Sequence, residues 1–367
     1  MTGSGPVGVG LIGAGNISNQ YLDNLTAFPD VEVLFVADID IARAKEQADK
    51  YGVPGSGTAE ELLAHPGIEI VVNLTVPAAH VHVAMRALAA GKNVWTEKPI
   101  ALDREGGKAL LAEAAARGLR VATAPDTFLG AGLQAGKRLI EGGSIGTPLS
   151  ALALFQNGGP EPWHPNPDFF YVHGGGPLFD MGPYYLTTLV QNLGPAKRVA
   201  ASTSTASAER TIGSGARAGE KIPVEVATHV SALIEFEGGA SAQCVFSFQS
   251  ALPRNGFVEI AGTEGTLVFP DPNNFDGEFR LWETGSKEPE TIATSSIGGR
   301  GTGVVELARA IRADVPERAS GQQAYHVLDI MVSIIEAAES GQFVEIESTV
   351  QQAESLPEGW DPRTATL

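Results

Sequence analysis

The sequence contains a single cysteine, Cys244, among its 367 residues. One cysteine forms no intramolecular disulfide and cannot supply the several thiolates of a cysteine-rich zinc site. No apolar run reaches the roughly 18 uninterrupted residues that indicate a transmembrane helix. The first residues lack both the basic segment and the apolar run of a secretory signal. These absences predict a reduced, soluble and cytoplasmic protein.

Basic residues are few compared with acidic ones. The chain has 25 Lys and Arg but 43 Asp and Glu, and its formal net charge is −18 at pH 7. Because that charge repels phosphate backbones and anionic lipid headgroups, we expect neither a nucleic-acid partner nor a membrane partner. The histidines and acidic residues also lack the close spacing of metal ligands, so we expect no metal site.

Length and apolar content indicate a folded chain of two domains. Hydrophobic residues make up 43% of the sequence, which excludes a disordered chain, and a domain typically has roughly 100–200 residues. In residues 1–125, short apolar runs such as Val7–Ile12 alternate with segments of helical periodicity such as 16–28. This alternation predicts an α/β fold with a doubly wound parallel sheet of the Rossmann type.

The second part of the sequence has a different pattern. Residues 224–237 and 240–249 flank a Glu-Gly-Gly turn and predict an antiparallel hairpin. A helix is predicted over 180–193, and the Ser-, Thr-, Ala- and Gly-rich stretch 201–220 is interpreted as a mobile surface loop. Residues 126–367 are therefore predicted to form a second domain, an antiparallel sheet with helices on one side. Its closing helices have the alternative of packing back on the first domain.

A glycine-rich turn follows the first predicted strand. Gly13 and Gly15 begin a Gly-x-Gly-x-x-Ser motif, in which Gly13 permits a tight turn and Gly15 permits close approach of a pyrophosphate. Ser18 supplies the small third residue that helix–sheet packing requires. The first turn of the next helix, at Asn16 and Ile17, offers backbone N–H groups to the phosphates. The motif predicts a dinucleotide site, and the alternative is an ordinary strand–helix turn.

Asp38 ends the next predicted strand, roughly 20 positions beyond Gly15. An acid at about this distance binds the hydroxyls of the adenosine ribose in dinucleotide-binding folds. A carboxylate would repel the 2′-phosphate of NADP, and Ile39 follows in place of a basic residue. NAD is therefore the predicted cofactor, while Arg43, one helical turn further along, leaves a route to NADP.

The motif Glu97-Lys98-Pro99 is predicted to end a strand at the carboxyl edge of the parallel sheet, where ligands bind in such folds. A lysine there can reach both a nicotinamide ribose and a substrate hydroxyl, and Pro99 favours an extended backbone at Lys98. The alternative is a solvated lysine at an exposed strand end.

Several ordered motifs resemble one family of oxidoreductases. They are the glycine turn, Asn73-Leu-Thr-Val-Pro77 followed by His80, Glu97-Lys98-Pro99, and Gly174-Gly-Gly-Pro-Leu-Phe-Asp-Met-Gly182. Together they resemble the glucose–fructose oxidoreductase, inositol dehydrogenase and MocA family over essentially the whole chain. The resemblance implies an NAD(P)-binding Rossmann domain over 1–125. It implies a substrate-binding α/β domain over 126–367, whose open, mostly antiparallel sheet forms homodimers or homotetramers.

The resemblance also implies roles for single residues. It places four residues beside the cofactor: Thr75, His80, Glu97 and Lys98. It makes Lys98 and Asp180 catalytic, and the family usually has an acid–base histidine where this sequence has Tyr184. Residues four positions apart share a helix face, so Asp180 and Tyr184 can point into one site. The alternative makes Asp180 a helix N-cap and Tyr184 a packed aromatic residue.

Tyr184 changes the expected proton chemistry. A phenol titrates near ~10, and an ammonium beside it favours the phenolate. We therefore hypothesise that Lys98 and Tyr184 share the transfer of the hydroxyl proton and that Asp180 orients them. Two alternatives stay open: Lys98 acts without an aromatic partner, or the chemistry has been lost together with the histidine.

Five further residues are candidate substrate contacts: Asp126, Trp163, His164, Tyr171 and His173. Asp126 follows a predicted Rossmann strand and suits either sugar hydroxyls or the cap of the next helix. The other four lie in the Gly-, Pro- and aromatic-rich stretch 157–176, where aromatic faces and hydrogen-bonding groups suit a sugar. Packing within the loop is the alternative for each of them.

These features together predict an NAD-dependent oxidoreductase that transfers a hydride between nicotinamide and a secondary alcohol of a sugar, sugar derivative or cyclic polyol. One alternative is an enzyme that keeps its cofactor tightly bound and either couples two sugars or eliminates through a transient ketone. The other alternative is a non-catalytic protein that senses a dinucleotide or a sugar.

Overall fold

The computed structural model describes residues 5–296 and 298–367. These residues divide into two compact units. Unit 1 comprises the chain up to residue 130 together with 296–325 and 353–367, and unit 2 comprises 131–295 and 326–352. Two units suit a chain of this length, because a single hydrophobic core seldom grows beyond ~250 residues.

The strands and helices that come first in the chain alternate. Strands β1–β6 are Val7–Ile12, Val31–Ala37, Gly55–Gly57, Ile70–Asn73, Asn93–Thr96 and Val121–Thr123. Helices α1–α5 are Asn16–Leu25, Ile41–Tyr51, Ala59–Ala64, His80–Ala89 and Arg104–Arg117. The strands form one parallel sheet in the order β3-β2-β1-β4-β5-β6, which is the doubly wound Rossmann order. The predicted fold of the first part of the chain is confirmed.

The later elements are mostly strands. Helices α6 and α7 are Ala131–Glu141 and Gly176–Leu193. Strands β7–β12 are Pro148–Gln156, Ala196–Ser204, Glu209–Thr211, Lys221–Pro223, His229–Phe236 and Ser241–Ser247. Strands β13–β16 are Arg254–Gly262, Gly265–Phe269, Gly277–Glu283 and Glu290–Thr294. The chain closes with α8 (Thr302–Ala313), α9 (Gly321–Ser340) and β17 (Val344–Glu345).

Local sequence fixes the helix ends in unit 1. The carboxylates of Asp40 and Asp103 accept hydrogen bonds from first-turn backbone N–H groups of α2 and α5, which satisfies donors that a helix leaves unpaired. Gly52 and Gly118 end the same helices in the left-handed conformation, which glycine adopts at little cost. Each of these two helices therefore starts and stops at a defined position beside the sheet.

Residues after the second sheet return to unit 1. Arg309 of α8 binds the carboxylate of Asp30 at 2.7 Å, and Asp30 is 1% exposed. Ser320 forms an antiparallel bridge with Ala122 in β6. Because a buried carboxylate requires such a partner, the Arg309–Asp30 pair holds α8 to the parallel sheet.

The second sheet has one covered face. Strands β7, β8 and β11–β17 join in the order β16-β15-β14-β13-β7-β12-β11-β8-β17. β7 and β12 pair in parallel, and the other neighbours pair antiparallel. Along β11, Val230, Ala232 and Ile234 are buried while the residues between them are half-exposed, and α6 and α7 pack on this sheet. The predicted open, mostly antiparallel sheet is confirmed.

Two expectations for unit 2 are wrong. The stretch 201–220 is not a loop throughout, because β8 extends to Ser204 and β9 (Glu209–Thr211) pairs with β10, whereas 205–208 and 212–220 do lie outside the strands. Within this stretch the strand residues are largely exposed, so the usual alternation of apolar and polar residues is missing. The helix predicted over 180–193 begins at Gly176, because the glycines before it, which suggest a break, form its N-terminal boundary.

Helix α9 is long and contains buried polar side chains. α9 has 20 residues and includes buried His326, Asp329 and Ser333. In the part of the chain that the structure describes, no helix is both long and apolar enough to cross a membrane.

Candidate functional site

The glycine turn between β1 and α1 leaves open space in front of the helix. Gly13 has a φ of 108°, and a Cβ there would lie 2.7 Å from the carbonyl oxygen of Leu74, so other residues are excluded. Gly15 is the N-cap of α1, and among the described residues no atom beyond the adjoining backbone lies within 4 Å of where its Cβ would be. Ser18 is fully buried and donates to the carbonyl oxygen of Gly15 at 2.6 Å. The exposed backbone at the start of α1 fits a pyrophosphate.

Asp38 lies beside this turn, directly after β2. Its Oδ2 accepts from the backbone N–H of Ala14 at 2.7 Å, and its Oδ1 accepts from the N–H of Asp40 at 2.9 Å. The side chain is half-buried. Because both oxygens are anchored to the backbone, a fixed negative charge stands next to the glycine turn, as a partner for ribose hydroxyls must.

The basic residue near Asp38 is already engaged. Nη2 of Arg43 lies 3.2 Å from Oδ2 of Asp40, and both side chains are about half exposed, at 50% and 48%. Ile39 is fully exposed between the two aspartates. The guanidinium of Arg43 is therefore already paired with a carboxylate close to Asp38 in sequence.

The segments after β4 and β5 are tied together by buried polar groups. Asn73 accepts from Oγ1 of Thr75 at 2.7 Å and donates to the carbonyl oxygen of His80 at 3.0 Å. The His80 ring lies 2.7 Å from the carbonyl oxygen of Pro99 and 3.0 Å from that of Thr75. Burial lowers the pKa of His80, while the hydrogen bonds to the two carbonyl oxygens oppose the fall. His80 therefore joins the segment after β4 to the segment after β5, and its place beside a cofactor stays a prediction.

Glu97 and Lys98 follow β5 at the same edge. Oε1 of Glu97 accepts from the hydroxyl of Tyr21 at 2.7 Å, and Oε2 accepts from the backbone N–H of Lys98 at 3.2 Å. Lys98 is half-buried, and the peptide bond that joins it to Pro99 is cis. Because the carboxyl ends of parallel strands meet at one edge, unit 1 places the glycine turn, Asp38 and Lys98 along a single edge of its sheet.

Asp126 is buried inside unit 1. Its Oδ2 accepts from the backbone N–H groups of Gly301 at 2.8 Å and Gly303 at 3.2 Å, at the start of α8. Oδ1 lies 3.5 Å from Nη1 of Arg300, and the side chain has no exposed surface. Burial raises the pKa of this carboxyl, while Arg300 opposes the rise. Asp126 caps α8 rather than the helix that follows it, and its substrate role stays a prediction.

Helix α7 carries the two catalytic candidates of unit 2. Because it begins at Gly176, Asp180 lies in its second turn, and the interpretation of Asp180 as an N-cap is wrong. Pro183 lies inside the helix, beyond its first turn. Asp180 is half-buried and Tyr184 is 6% exposed. Their spacing of one helical turn puts both on one face of α7.

Tyr171 is held by its own loop. Its ring is fully buried, its hydroxyl donates to Oε2 of Glu161, and Nη1 of Arg210 lies 2.8 Å from Oε1 of the same carboxylate. Burial and the Glu161 charge both raise the pKa of Tyr171. The phenol therefore stays protonated and anchors the loop to β9, which supports the alternative of packing within the loop.

The other three loop candidates reach the surface of unit 2. Trp163 is 66% exposed, His164 is half-exposed and His173 is exposed. The His164 ring makes edge contacts with Trp163 and Phe169, with centroids 5.4 and 5.3 Å apart. An aromatic surface of this kind suits the apolar face of a sugar, so their substrate role stays a prediction.

The sequence motifs did not identify two residues that contact the Glu97 motif or lie directly before it. Tyr21 lies on the buried face of α1, and Trp95 lies in β5 directly before the motif. Both are fully buried. A buried tyrosine hydroxyl requires a hydrogen-bond partner, and that requirement is the signal that points to Tyr21.

Other reactive groups do not form a site. Cys244 is buried, and burial raises the pKa of its thiol to about 12, which keeps it unreactive. Across residues 5–296 and 298–367, no group of three or more His, Cys, Asp or Glu side chains could hold a metal ion.

Two family models match the chain. Residues 7–124 match the oxidoreductase family with an NAD-binding Rossmann fold, and residues 133–268 match the GFO/IDH/MocA C-terminal domain. The first match covers the parallel sheet and the second covers α7 and most of the antiparallel sheet. The resemblance inferred from the motifs is confirmed.

Curated relatives are dehydrogenases and reductases. The chain is 27% identical over 266 residues to trans-1,2-dihydrobenzene-1,2-diol dehydrogenase of Bos taurus, covering 72% of this chain and 74% of that protein. It is 26% identical over 357 residues to 1,5-anhydro-D-fructose reductase of Ensifer adhaerens, covering 92% and 98%.

Solved structures share the fold. An NAD-binding oxidoreductase from Klebsiella pneumoniae has a TM-score of 0.81 at 24% identity, covering 94% of this chain and 99% of that one. Levoglucosan dehydrogenase in complex with NADH and L-sorbose has a TM-score of 0.82 at 23% identity, covering 94% and 100%.

Proposed function

The chain belongs to the glucose–fructose oxidoreductase, inositol dehydrogenase and MocA family of oxidoreductases, and we propose that it is an NAD-dependent dehydrogenase. Its substrate class is a secondary alcohol of a sugar, sugar derivative or cyclic polyol. Relatives named for a dihydrodiol, an anhydro sugar and levoglucosan support this class. The compartment that suits such an enzyme is the cytoplasm.

The observation that carries the proposal is the edge of unit 1 where the glycine turn, Asp38 and Lys98 lie together. The first turn of α1 supplies N–H groups for a pyrophosphate, and the space at Gly15 admits it. The Asp38 carboxylate suits two ribose hydroxyls and repels a 2′-phosphate. The residues therefore fit NAD better than NADP.

The chemistry divides between the cofactor and the chain. When bound, the nicotinamide ring accepts or donates the hydride. The chain holds the dinucleotide, and Lys98 is assigned to bind the substrate hydroxyl and to move its proton. In unit 2, Tyr184 is assigned to the same proton transfer, and Asp180, one helical turn away on α7, is assigned to orient it.

Replacement of Lys98 tests the assignment. We expect Lys98→Ala to bind NADH within about threefold of the wild type but to lose at least ~100-fold in kcat, because general acid–base groups contribute about that much. Fluorescence titration with NADH and steady-state turnover give the two readouts. Lys45→Ala, which removes an exposed lysine paired with Asp49 on α2, is the matched control and keeps both values.

Tyr184→Phe tests the second proton carrier in the same assays. An altered pH dependence of kcat supports a role for its hydroxyl, whereas an unchanged profile leaves Lys98 acting alone. If Lys98→Ala turns over like the wild type, the assignment of Lys98 is wrong.

A second candidate function follows from Tyr184 in place of the usual histidine. A protein that has lost the acid–base group would still bind the dinucleotide and would serve as a sensor of a dinucleotide or a sugar. NADH binding without turnover on any sugar, glycoside or inositol favours this candidate. Turnover together with loss in Lys98→Ala excludes it.

A further inference from the structure

The carboxylate of Glu97 has a different partner on each oxygen. Oε2 accepts from the backbone N–H of Lys98 at 3.2 Å, and Oε1 accepts from the hydroxyl of Tyr21 at 2.7 Å. Tyr21 belongs to α1, which starts at the glycine turn. One carboxylate therefore joins the helix that would hold the pyrophosphate to the strand end that carries Lys98.

The direction of the Tyr21 hydroxyl is fixed by a third residue. The indole Nε1 of Trp95 donates to the Tyr21 oxygen at 3.1 Å. Because an N–H can only donate, the tyrosine oxygen must be the acceptor there, and its own hydrogen is left for Glu97. Trp95, Tyr21 and Glu97 thus form a directed chain of hydrogen bonds.

Two members of this hydrogen-bonded chain, Tyr21 and Trp95, are tightly packed. Tyr21 and Trp95 have no exposed surface, and α8 presses on the indole so closely that a Cβ at Gly303 would lie 2.1 Å from it. Burial and the neighbouring Glu97 charge raise the pKa of Tyr21, so the hydroxyl stays a donor. Its burial keeps the phenol away from substrate, so it can act only through Glu97.

We propose that Tyr21 is a positioning residue that fixes Glu97, and through Glu97 the backbone at Lys98, in the orientation the reaction requires. The proposal rests on the proposed function, in which Lys98 handles the substrate hydroxyl. Misplacement of a reacting group by a fraction of an ångström lowers turnover more than it weakens ligand binding. Tyr21 should therefore affect kcat more than KM.

A double-mutant cycle tests whether Tyr21 acts through Glu97. Tyr21→Phe keeps the ring and removes only the hydroxyl, and we expect it to lower kcat about tenfold, as the loss of a hydrogen bond to a charged group does. KM and NADH affinity should stay within about threefold. In a Glu97→Gln background the same substitution should change kcat by less than about threefold, because interacting residues are not additive.

Tyr51→Phe is the matched control. The Tyr51 hydroxyl also bonds to a residue of α1, at 3.2 Å from Oδ1 of Asn19, but its partner is Asn19 and not Glu97. Loss of the Tyr51 hydroxyl should leave kcat within about twofold. Trp95→Phe removes the donor that orients Tyr21 and should lower kcat in the same direction as Tyr21→Phe.

A second readout needs no substrate. In amide and indole NMR spectra, Tyr21→Phe should shift the Lys98 amide and the Trp95 Nε1 resonances, while Tyr51→Phe should leave both in place. Unchanged resonances would overturn the proposal even if the wild type shows no turnover. If the wild type turns over, an unaffected kcat in Tyr21→Phe, or an equal loss in the Glu97→Gln background, would overturn it as well. Absence of wild-type turnover alone counts against the proposed function and not against the positioning by Tyr21.

Discussion

At the scale of single residues, we propose that the charge next to the glycine turn selects which dinucleotide unit 1 accepts. Asp38 is held by two backbone N–H groups, so its carboxylate cannot swing away from an incoming 2′-phosphate. Arg43 is paired with Asp40, so the carboxylate of Asp40 partly neutralises the charge that would attract such a phosphate. Two neighbouring aspartates thus have different tasks, since Asp38 faces the turn and Asp40 caps α2.

Neutralising Asp38 should change cofactor choice. We expect Asp38→Asn to weaken NAD binding about tenfold, because ribose hydroxyls lose a charged acceptor, and to narrow the preference for NAD over NADP. Equilibrium titrations with NADH and NADPH measure both effects. Asp40→Asn, which retains a good N-cap, should change NADH affinity less than about threefold. If Asp38→Asn leaves the ratio of the affinities for NADH and NADPH unchanged, the role assigned to Asp38 is wrong.

At the scale of elements, the sequence predicts those strands and helices whose bounds depend on neighbouring residues. Strand Val7–Ile12 and the start of α1 at Asn16 could be located from periodicity and the glycine motif because neighbouring residues in the sequence determine them. The start of α7 could not be located, because a run of glycines in a sequence usually indicates a break, whereas here it forms the N-terminal boundary of the helix. The Arg210–Glu161 pair and the Tyr21–Glu97 bond join residues far apart in sequence, so no local pattern announces them.

Helix α9 makes unit 2 sensitive to acid. His326 is fully buried, its Nε2 accepts from the N–H of Ala196 at 3.0 Å, and burial lowers its pKa to about 4. An unfolded histidine titrates near ~6.5. At a pH between these two pKa values, the histidine is protonated in the unfolded chain and neutral in the folded chain. The stability contributed by His326 is therefore present above pH ~6.5 and is lost as the pH falls towards about 4.

Removing His326 should flatten this dependence. The wild type should lose on the order of 3 kcal/mol of unfolding free energy to this group over that range. His326→Gln, which retains an acceptor, should be less stable at pH 7.5 but should fall less steeply on acidification. Urea unfolding at several pH values measures the slopes, and His82→Gln, at an exposed position on α4, should keep the wild-type slope. Equal slopes in all three proteins would refute the role of His326.

At the scale of the whole molecule, the antiparallel sheet leaves one face with apolar residues uncovered by its own helices. Register places Leu154 beside Val245 on β12 and beside Phe257 on β13. These side chains are half-exposed, whereas the residues that alternate with them are buried. An apolar sheet face of this kind favours pairing with a second copy, which agrees with the predicted homodimer or homotetramer.

A charge on that face should dissociate the oligomer. We expect the wild type to run as a dimer or tetramer and Leu154→Glu to run as a smaller species, since a buried unpaired carboxylate is costly. Light scattering coupled to size-exclusion chromatography gives the masses. Leu252→Glu changes a leucine that is 59% exposed in a turn and should leave the mass unchanged. A monomeric wild type would contradict assembly through this face.

Features set by residues that are close together in the sequence could be predicted, and contacts between distant residues could not. The parallel sheet, the antiparallel sheet and the residues of the glycine turn could be predicted because periodicity and motif spacing carry them. Asp126 could not be assigned, because its partners Gly301 and Gly303 lie far along the chain. Tyr171 drew attention as an aromatic in a loop, but its hydroxyl is taken up by Glu161, a contact that only folding creates.

The most direct test of the proposed activity is reduction of NAD by the purified protein, followed by NADH absorbance across a panel of sugars, glycosides and inositols, with NADP in parallel. A dehydrogenase with Asp38 at its cofactor edge should turn over at least one of them, with kcat/KM for NAD at least about tenfold above that for NADP. Folded protein that binds NADH but reduces neither cofactor with any member of the panel would contradict the dehydrogenase and favour the sensor.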